Sequence, residues 1–302
     1  MNKHVVITGG TGLVGSSLAK KLLKNGYQVS IYSRSANKDS NPPQYYWSPA
    51  KKEIDTTPLQ TADVIIHLAG AGVFDEAWTE KRKEVIIKSR TESSKLLAEQ
   101  LPSLPNIKTV IGASAIGYYG KDTGDKWIIE EAKPGDDFLA RVTVDWEKAE
   151  QSMAVENVRL AQVRIGIVFA KEGGALPQLV QPIRFWGGAP LGSGNQFMSW
   201  IHIDDLVDMF IYLLENENLS GVYNGVAPNP ETNKKITELS AKALGKPLIL
   251  PNVPAFVLRM MLGDRAEVLI GGQRISAEKM QKTGFRFRFE EAEAAIKDLL
   301  NN

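Results

Sequence analysis

A chain of 302 residues, 43% of them hydrophobic, suits one large domain with a smaller appendage rather than two equal halves. The 36 Lys and Arg against 35 Asp and Glu leave a formal charge of +1, so no chain-wide field recruits nucleic acid or an acidic membrane surface. Cysteine is absent, which excludes disulfides, thiolate nucleophiles and cysteine metal sites and suits a reducing compartment.

Met1 to Lys3 lead directly into Val5-Val6-Ile7, leaving no room for a signal peptide. The apolar run from Val64 to Val73 is short of the ~20 residues a membrane helix needs and is interrupted by His67 and glycine. A cytoplasmic protein without a membrane span is expected, its oligomeric state open. Buried strands are predicted at Val5–Ile7, Gln28–Tyr32, Val64–Leu68, Thr109–Gly112 and Gln162–Phe169. Between them, Val14, Leu18 and Leu22 make a helical stripe closed by Gly26, a longer helix starts near Thr79, and another spans Asp137 to Glu150. Strands alternating with helices give an α/β fold, a doubly wound parallel sheet.

After Ala170 the pairs Gly173-Gly174 and Gly187-Gly188 and the run Gly192 to Gly194 break a mixed segment, before Trp200 starts a short strand capped into a helix from Leu206 by Asp204 or Asp205. Beyond Gly225 helices are expected at Thr232–Leu244, Ala255–Leu262 and Glu290–Leu300, with Ile249 and Phe285–Phe289 extended. The expected division is a nucleotide-binding core over 1–170, a mixed segment over 171–245 completing it and lining a substrate cleft, and a small helical part over 246–302. Phe256, Leu258, Met261 and Leu262 at helical spacing suit a cleft cover, an oligomer contact or, as expected here, core packing.

The strongest local signal is Val5-Val6-Ile7-Thr8-Gly9-Gly10-Thr11-Gly12-Leu13-Val14-Gly15, a strand meeting a helix with glycines three and three apart. Gly9 is assigned the tight turn, Gly12 the close approach of a pyrophosphate, and Gly15 the packing of helix on sheet, while the helix start turns free N–H groups to the phosphates. This is the pattern of a Rossmann dinucleotide site. About 20 residues on, where NAD enzymes place a carboxylate on the ribose, stands Ser33-Arg34-Ser35. A forked, permanently charged guanidinium between two hydroxyls suits a 2′-phosphate, so NADP(H) is the expected cofactor, although a solvated surface arginine has the same letters.

These residues, with His67-Leu68-Ala69-Gly70, Ser89-Arg90, Trp200 to Asp205, Tyr223 to Pro228 and Gly284-Phe285, resemble the atypical and extended short-chain dehydrogenase/reductases. The resemblance is to the epimerase-like family with a C-terminal domain of unknown function, over nearly the whole chain. It implies that Ser33 and Arg34 hold the 2′-phosphate region, that Leu68 and Ala69 line the dinucleotide, and that Arg90 and Ile167 touch it further along. Gly70, at the carboxyl end of a buried strand, also falls where such sheets bind ligands. Arg90 inside a helix equally suits a surface charge.

Members of this superfamily use a tyrosine with a lysine four residues later, the lysine easing proton exchange by the phenol. None of the eight tyrosines here is followed by lysine at that spacing, and register places Leu139 and Thr143 where the pair belongs. What remains is Ser114, at the superfamily's catalytic-serine position, with Tyr118 as a candidate proton donor and Tyr119, Trp200 and His202 as candidate substrate contacts. Capping and packing account for the same residues. Trp78 and Trp186 sit at element ends that suit a pocket wall or a core cap. His4 and His67 are isolated in strands, no pair has metal-ligand spacing, and no metal is expected. Two functions follow: an NADP(H)-dependent oxidoreductase or epimerase-like enzyme acting on a small molecule with a non-standard proton donor, or a non-catalytic NADP(H)-binding, redox-sensing protein.

Overall fold

The computed structural model describes residues 3–301; Met1 and Asn2, taken above as the lead-in to the first strand, and Asn302 at the end of the C-terminal part lie outside them. In chain order, β1 (His4–Thr8) leads into α1 (Leu13–Lys24), β2 (Gln28–Ser33), β3 (Gln44–Ser48), β4 (Glu53–Ile54), β5 (Val64–His67), α2 (Glu80–Ala98) and β6 (Thr109–Ala115). Next come β7 (Trp127–Ile128), α3 (Phe138–Gln151), β8 (Arg159–Ile165), β9 (Ile167–Phe169), α4 (Leu176–Arg184), β10 (Phe197–Met198), β11 (Trp200–His202), α5 (Ile203–Glu215) and β12 (Gly221–Gly225). The rest holds β13 (Glu231–Thr232), α6 (Asn233–Ala243), α7 (Ala255–Leu262), α8 (Ala266–Ile270), β14 (Arg274–Ile275), α9 (Glu278–Lys282) and α10 (Ala292–Asn301).

Eight strands form one sheet in the order β12-β8-β6-β5-β1-β2-β3-β4, parallel except for antiparallel β4 at the edge. Chain order reverses between β1 and β5, the switch point where such sheets open a crevice beyond their carboxyl ends. Alternation along β1 explains the two layers. Val5 and Ile7 pack with Leu18, Leu22 and Phe210 on one face, whereas Val6 packs with Ile65, Leu96, Leu97 and Val110 on the other. Covered on both sides, β1 and β5 read as continuous apolar runs rather than alternating ones.

The segment predicted as one strand, Gln162–Phe169, is two. Gly166 breaks it because a Cβ there would collide with Ser199 O, and β9 leaves the main sheet to pair with β11, Ile167 opposite Trp200. The helix expected from Leu206 starts at Ile203, and its cap is His202, whose ring Nδ1 accepts from Asp204 N at 3.0 Å. Asp205 is instead fully buried and accepts from the N–H groups of Arg288 (2.8 Å) and Phe289 (2.9 Å), anchoring the C-terminal segment. Core packing of α7 does not hold: Leu258 is buried, but Phe256 and Met261 are 68% and 69% exposed, because the helix offers the protein only a narrow edge. Among the described residues no helix is long and apolar enough to cross a membrane.

Candidate functional site

The glycine loop sits at the switch point. Gly9 has φ +67°, the left-handed region glycine enters without strain, and a Cβ there would also press on Leu68 O at 2.7 Å. Gly12 N donates to Gly9 O (3.0 Å) and Gly12 is the N-cap of α1, with no side-chain cap and no acid in the first turn. The open N–H groups and the helix dipole therefore present positive potential beyond β1. Thr11 and Gly12 are exposed and Leu13 half-buried. A Cβ on Gly12 would touch only Gly9 O, at 3.3 Å, and otherwise project into open space. A Cβ on Gly15 would strike Gly9 O and Gly10 Cα, so the close approach at Gly15 is between helix and turn, not between helix and sheet face.

On one side of the loop β2 ends at Ser33, whose Oγ accepts from Ser35 N at 3.2 Å. Arg34 follows, exposed and with no hydrogen bond or ion pair among the described residues. On the other side β5 delivers Leu68 and Ala69, both half-buried, whose N–H groups donate to Thr8 Oγ1 at 3.1 and 3.2 Å. The same hydroxyl lies 2.7 Å from His67 Nδ1. Accepting from two amides, it gives its hydrogen to that ring nitrogen, while Ser94 and Ser93 lie 3.1 and 3.2 Å from Nε2. Burial pushes the His67 pKa down to about 3, so the ring is neutral and serves to tie β1 to β5.

Past Gly70 the crevice opens into a cavity of about 490 Å³. Arg90 forms part of its wall and is only 9% exposed. Its Nη1 donates to Ala71 O and Ile86 O, both at 3.0 Å, and its guanidinium lies 4.9 Å from the Trp146 ring. Burial pulls its pKa down to about 10, which leaves it charged at neutral pH, and no carboxylate pairs with it. A Cβ on Gly70 would come within 3.0 Å of its Cζ. Ala115, Ile116, Gly117, Gly166 and Ile167 make a second wall, and α3 supplies a third. On that helix Leu139 and Thr143 both face the cavity, with the Thr143 hydroxyl committed to Leu139 O (2.8 Å) and Ala140 O (2.9 Å). The place of the superfamily's proton relay is thus an isobutyl group and a threonine methyl.

Of the remaining candidates, all but Trp78 lie outside this cavity. Ser114 is 1% exposed and donates to Glu147 Oε1 at 2.6 Å. Glu147 is also gripped by Arg164, Nε to Oε1 at 2.7 Å and Nη2 to Oε2 at 2.9 Å. Arg164 stays charged: burial opposes this, but the Glu147 carboxylate outweighs it. Tyr118 is half-buried with the Arg164 guanidinium 3.4 Å from its ring centre. Tyr119 is buried, donating to Asn224 Oδ1 (2.6 Å) and accepting from Arg164 Nη1 (2.9 Å), and burial pushes its pKa up to about 12. Trp200 is fully buried, stacked on Phe169 and donating to Asn229 O. His202 is stacked on Phe289 at 3.9 Å, its pKa lowered by burial. Both belong to the packing that seats the C-terminal part rather than to the cavity wall. Trp186 is exposed, whereas Trp78 does line the cavity. Among the described residues no cluster of histidine and acidic side chains is arranged for a metal.

Sequence reasoning missed the Glu147–Arg164 pair, although Gln162 and Arg164, two residues apart in an otherwise apolar strand, were a legible signal of a buried polar partner. For the residues beyond 260 it weighed a cleft cover but preferred core packing. Asp264, Glu267, Val268, Gly271, Gly272 and Gln273 all line the cavity. Arg265 donates to Phe74 O at 2.9 Å, fastening this segment across to the loop after β5.

A doubly wound sheet with a glycine loop at its switch point and a cavity beside it defines a dinucleotide-binding protein of the short-chain dehydrogenase/reductase type, here without the Tyr/Lys pair. The chain belongs to the NAD dependent epimerase/dehydratase family, which it matches over residues 5–225, followed by a domain of unknown function (DUF1731) over residues 253–299. It is 34% identical over 300 residues to the epimerase family protein SAR0825 of Staphylococcus aureus, covering 99% of each chain. Among solved structures it is similar to the human epimerase family protein SDR39U1 (isoform 2) with NADPH, at TM-score 0.89 and 30% identity over 99% of each chain. It is also similar to a nucleoside-diphosphate sugar epimerase from Corynebacterium glutamicum, at TM-score 0.82 and 33% identity, covering all of this chain and 59% of that one.

Proposed function

We propose that this chain is an NADP(H)-dependent oxidoreductase that holds its cofactor along the carboxyl end of the sheet and acts on a small molecule in the cavity beside α3. The observation that carries this reading is a pair of arginines flanking the open glycine loop, Arg34 after β2 and Arg90 beside the end of β5, neither paired with a carboxylate among the described residues. Two such cations call for an anionic ligand, and their spacing on either side of β1 suits a ligand that spans the loop. NADPH in the human relative supports the same cofactor.

The residues present fit it. The N–H groups of Leu13 to Gly15, the first turn of α1, receive the pyrophosphate, where a Cβ at residue 12 would intrude. Ser33 and Arg34 take the 2′-phosphate, Leu68 to Gly70 border the dinucleotide, and Arg90 and Ile167 guide its far end into the cavity. The bound nicotinamide supplies or accepts a hydride there. The chain's own part is to exclude water with the apolar wall from Phe138 to Trp146 and to fix the orientation of both partners.

A second reading, a non-catalytic NADP(H) sensor, is favoured by Leu139 and Thr143, which offer no proton-transfer group. The deciding experiment titrates NADPH and NADH by fluorescence and then follows NADPH absorbance with a panel of carbonyl compounds and nucleotide sugars. NADPH binding tighter than NADH with turnover of a panel member is expected. Tight NADPH binding without any turnover selects the sensor, and equal affinity for both nucleotides removes the NADP(H) assignment.

A further inference from the structure

We propose that the cavity takes an uncharged, flat, apolar carbonyl compound of the quinone type rather than a nucleotide sugar, an inference that rests on the NADP(H)-dependent reading above. The walls are the first argument. Five aromatic side chains, Phe74, Trp78, Phe138, Trp146 and Phe197, line about 490 Å³, with Trp78 and Phe138 edge to face at 5.0 Å. Rings so arranged make slots for a planar ring by stacking and apolar burial.

Charge is the second argument. A nucleoside diphosphate needs cations of its own, and the cavity has none to spare. Lys83 Nζ is held by Glu80 at 2.9 Å and lies 3.8 Å from Asp264, while Lys121 pairs with Glu267 at 3.3 Å. Arg90 donates to Ala71 O and Ile86 O beside Gly70 and is the cation assigned above to the cofactor. Asp137, Asp264 and Glu267 add carboxylates to the rim, which a diphosphate would meet as repulsion.

Proton supply is the third. No tyrosine lines the cavity, the Thr143 hydroxyl is committed to backbone carbonyls, and the Ser199 hydroxyl donates to Gln273 O at 2.7 Å. Reduction of a simple ketone leaves an alkoxide that needs a donor in the transition state. A quinone does not have this requirement: one hydride, carrying two electrons and a proton, converts it to a hydroquinone monoanion as NADPH becomes NADP+. That anion is a phenolate, whose conjugate acid has a pKa of about 10, and it takes its second proton from water on release.

The test is equilibrium binding to the NADP+-loaded protein, read by calorimetry with 1,4-naphthoquinone and UDP-glucose as probes. The chain has no thiol for the quinone to alkylate. Naphthoquinone is expected to bind at least about 100-fold tighter than UDP-glucose. Leu139→Arg, which puts a charge on a half-exposed wall position, and the milder Trp78→Ala should each weaken naphthoquinone by about tenfold or more, and Trp78→Ala should leave NADPH fluorescence titrations unchanged. UDP-glucose binding as tightly as the quinone, no quinone binding, or quinone affinity indifferent to both variants would each overturn the proposal. Failure of NADPH to bind is a separate result, seen in its own titration, and the quinone titration repeated on the cofactor-free chain still reads the cavity.

Discussion

Ser114 Oγ donates to Glu147 Oε1 at 2.6 Å, and Arg164 closes on the same carboxylate with bonds of 2.7 and 2.9 Å. The bonds join the end of β6, the middle of α3 and the end of β8, of which β6, through Ala115, and α3 line the cavity. In this fold the serine therefore serves as a strut. Ser114→Ala removes one charge-assisted bond and leaves the ion pair intact, at a cost of about 1.5–3 kcal/mol. Glu147→Ala strands a buried guanidinium and should cost about 3–5 kcal/mol. Urea denaturation checks the order, and NADPH affinity should survive in Ser114→Ala. A larger loss for the serine variant than for the glutamate variant would show the network to be organised otherwise.

Two glycines of the loop separate folding from binding. Gly12→Ala meets a single tight contact, Gly9 O at 3.3 Å, so stability should change by only about 1 kcal/mol. NADPH affinity should nonetheless collapse, because the new methyl stands where the pyrophosphate approaches. Gly15→Ala drives a methyl into the turn after β1 and should cost about 1–3 kcal/mol in stability. Thermal unfolding with and without NADPH reads both. Normal NADPH affinity in Gly12→Ala would place the pyrophosphate elsewhere.

Arg34 tests cofactor choice. Its guanidinium has no partner among the described residues, so its removal should leave the fold alone. Arg34→Glu should weaken NADPH by at least the ~1.5–3 kcal/mol of a charge-assisted contact, roughly 10- to 100-fold in Kd. NADH should weaken little. Fluorescence titration of both nucleotides makes the comparison, and parallel losses would mean that Arg34 acts through the loop rather than on a 2′-phosphate.

The sheet's central strands were legible in the sequence because each is apolar on both faces, as in Val5-Val6-Ile7, and the loop was legible because its glycines are local. Edge strands were not: β3, Gln44–Ser48, is polar and aromatic, and β12, Gly221–Gly225, is bracketed by glycines that signal a turn. At the site, Leu139 and Thr143 were placed from helical register alone, since a helix fixes which residues share a face. Trp200 and His202 misled because alternation in a short strand does not say which face meets the cleft and which meets the core. Arg265 reaching Phe74 O spans 191 positions, and no local pattern encodes such a contact.

Two buried groups give opposite pH dependence. His67 has its pKa depressed from 6.5 to about 3 by burial, so below pH 6.5 the unfolded chain takes up a proton that the folded one refuses. Its contribution is complete above 6.5 and declines as the pH falls toward 3, by an amount on the order of 5 kcal/mol. Glu150 is the reverse case. It is fully buried on α3, its carboxyl in the space that a side chain at Gly112 would fill, and burial together with the neighbouring Glu147 charge raises its pKa well above 4.5. Its contribution is complete below 4.5 and declines as the pH rises through the raised folded value, because the unfolded chain releases the proton first. Glu150→Gln keeps an acceptor for Gln162 Nε2, which donates to Oε2 at 2.8 Å, and never ionises. The variant should therefore match the parent near pH 4 and exceed it in stability by about 1 kcal/mol or more at pH 8. Urea denaturation across that range measures the difference, and a gap that stays constant with pH would mean that Glu150 is already ionised in the fold.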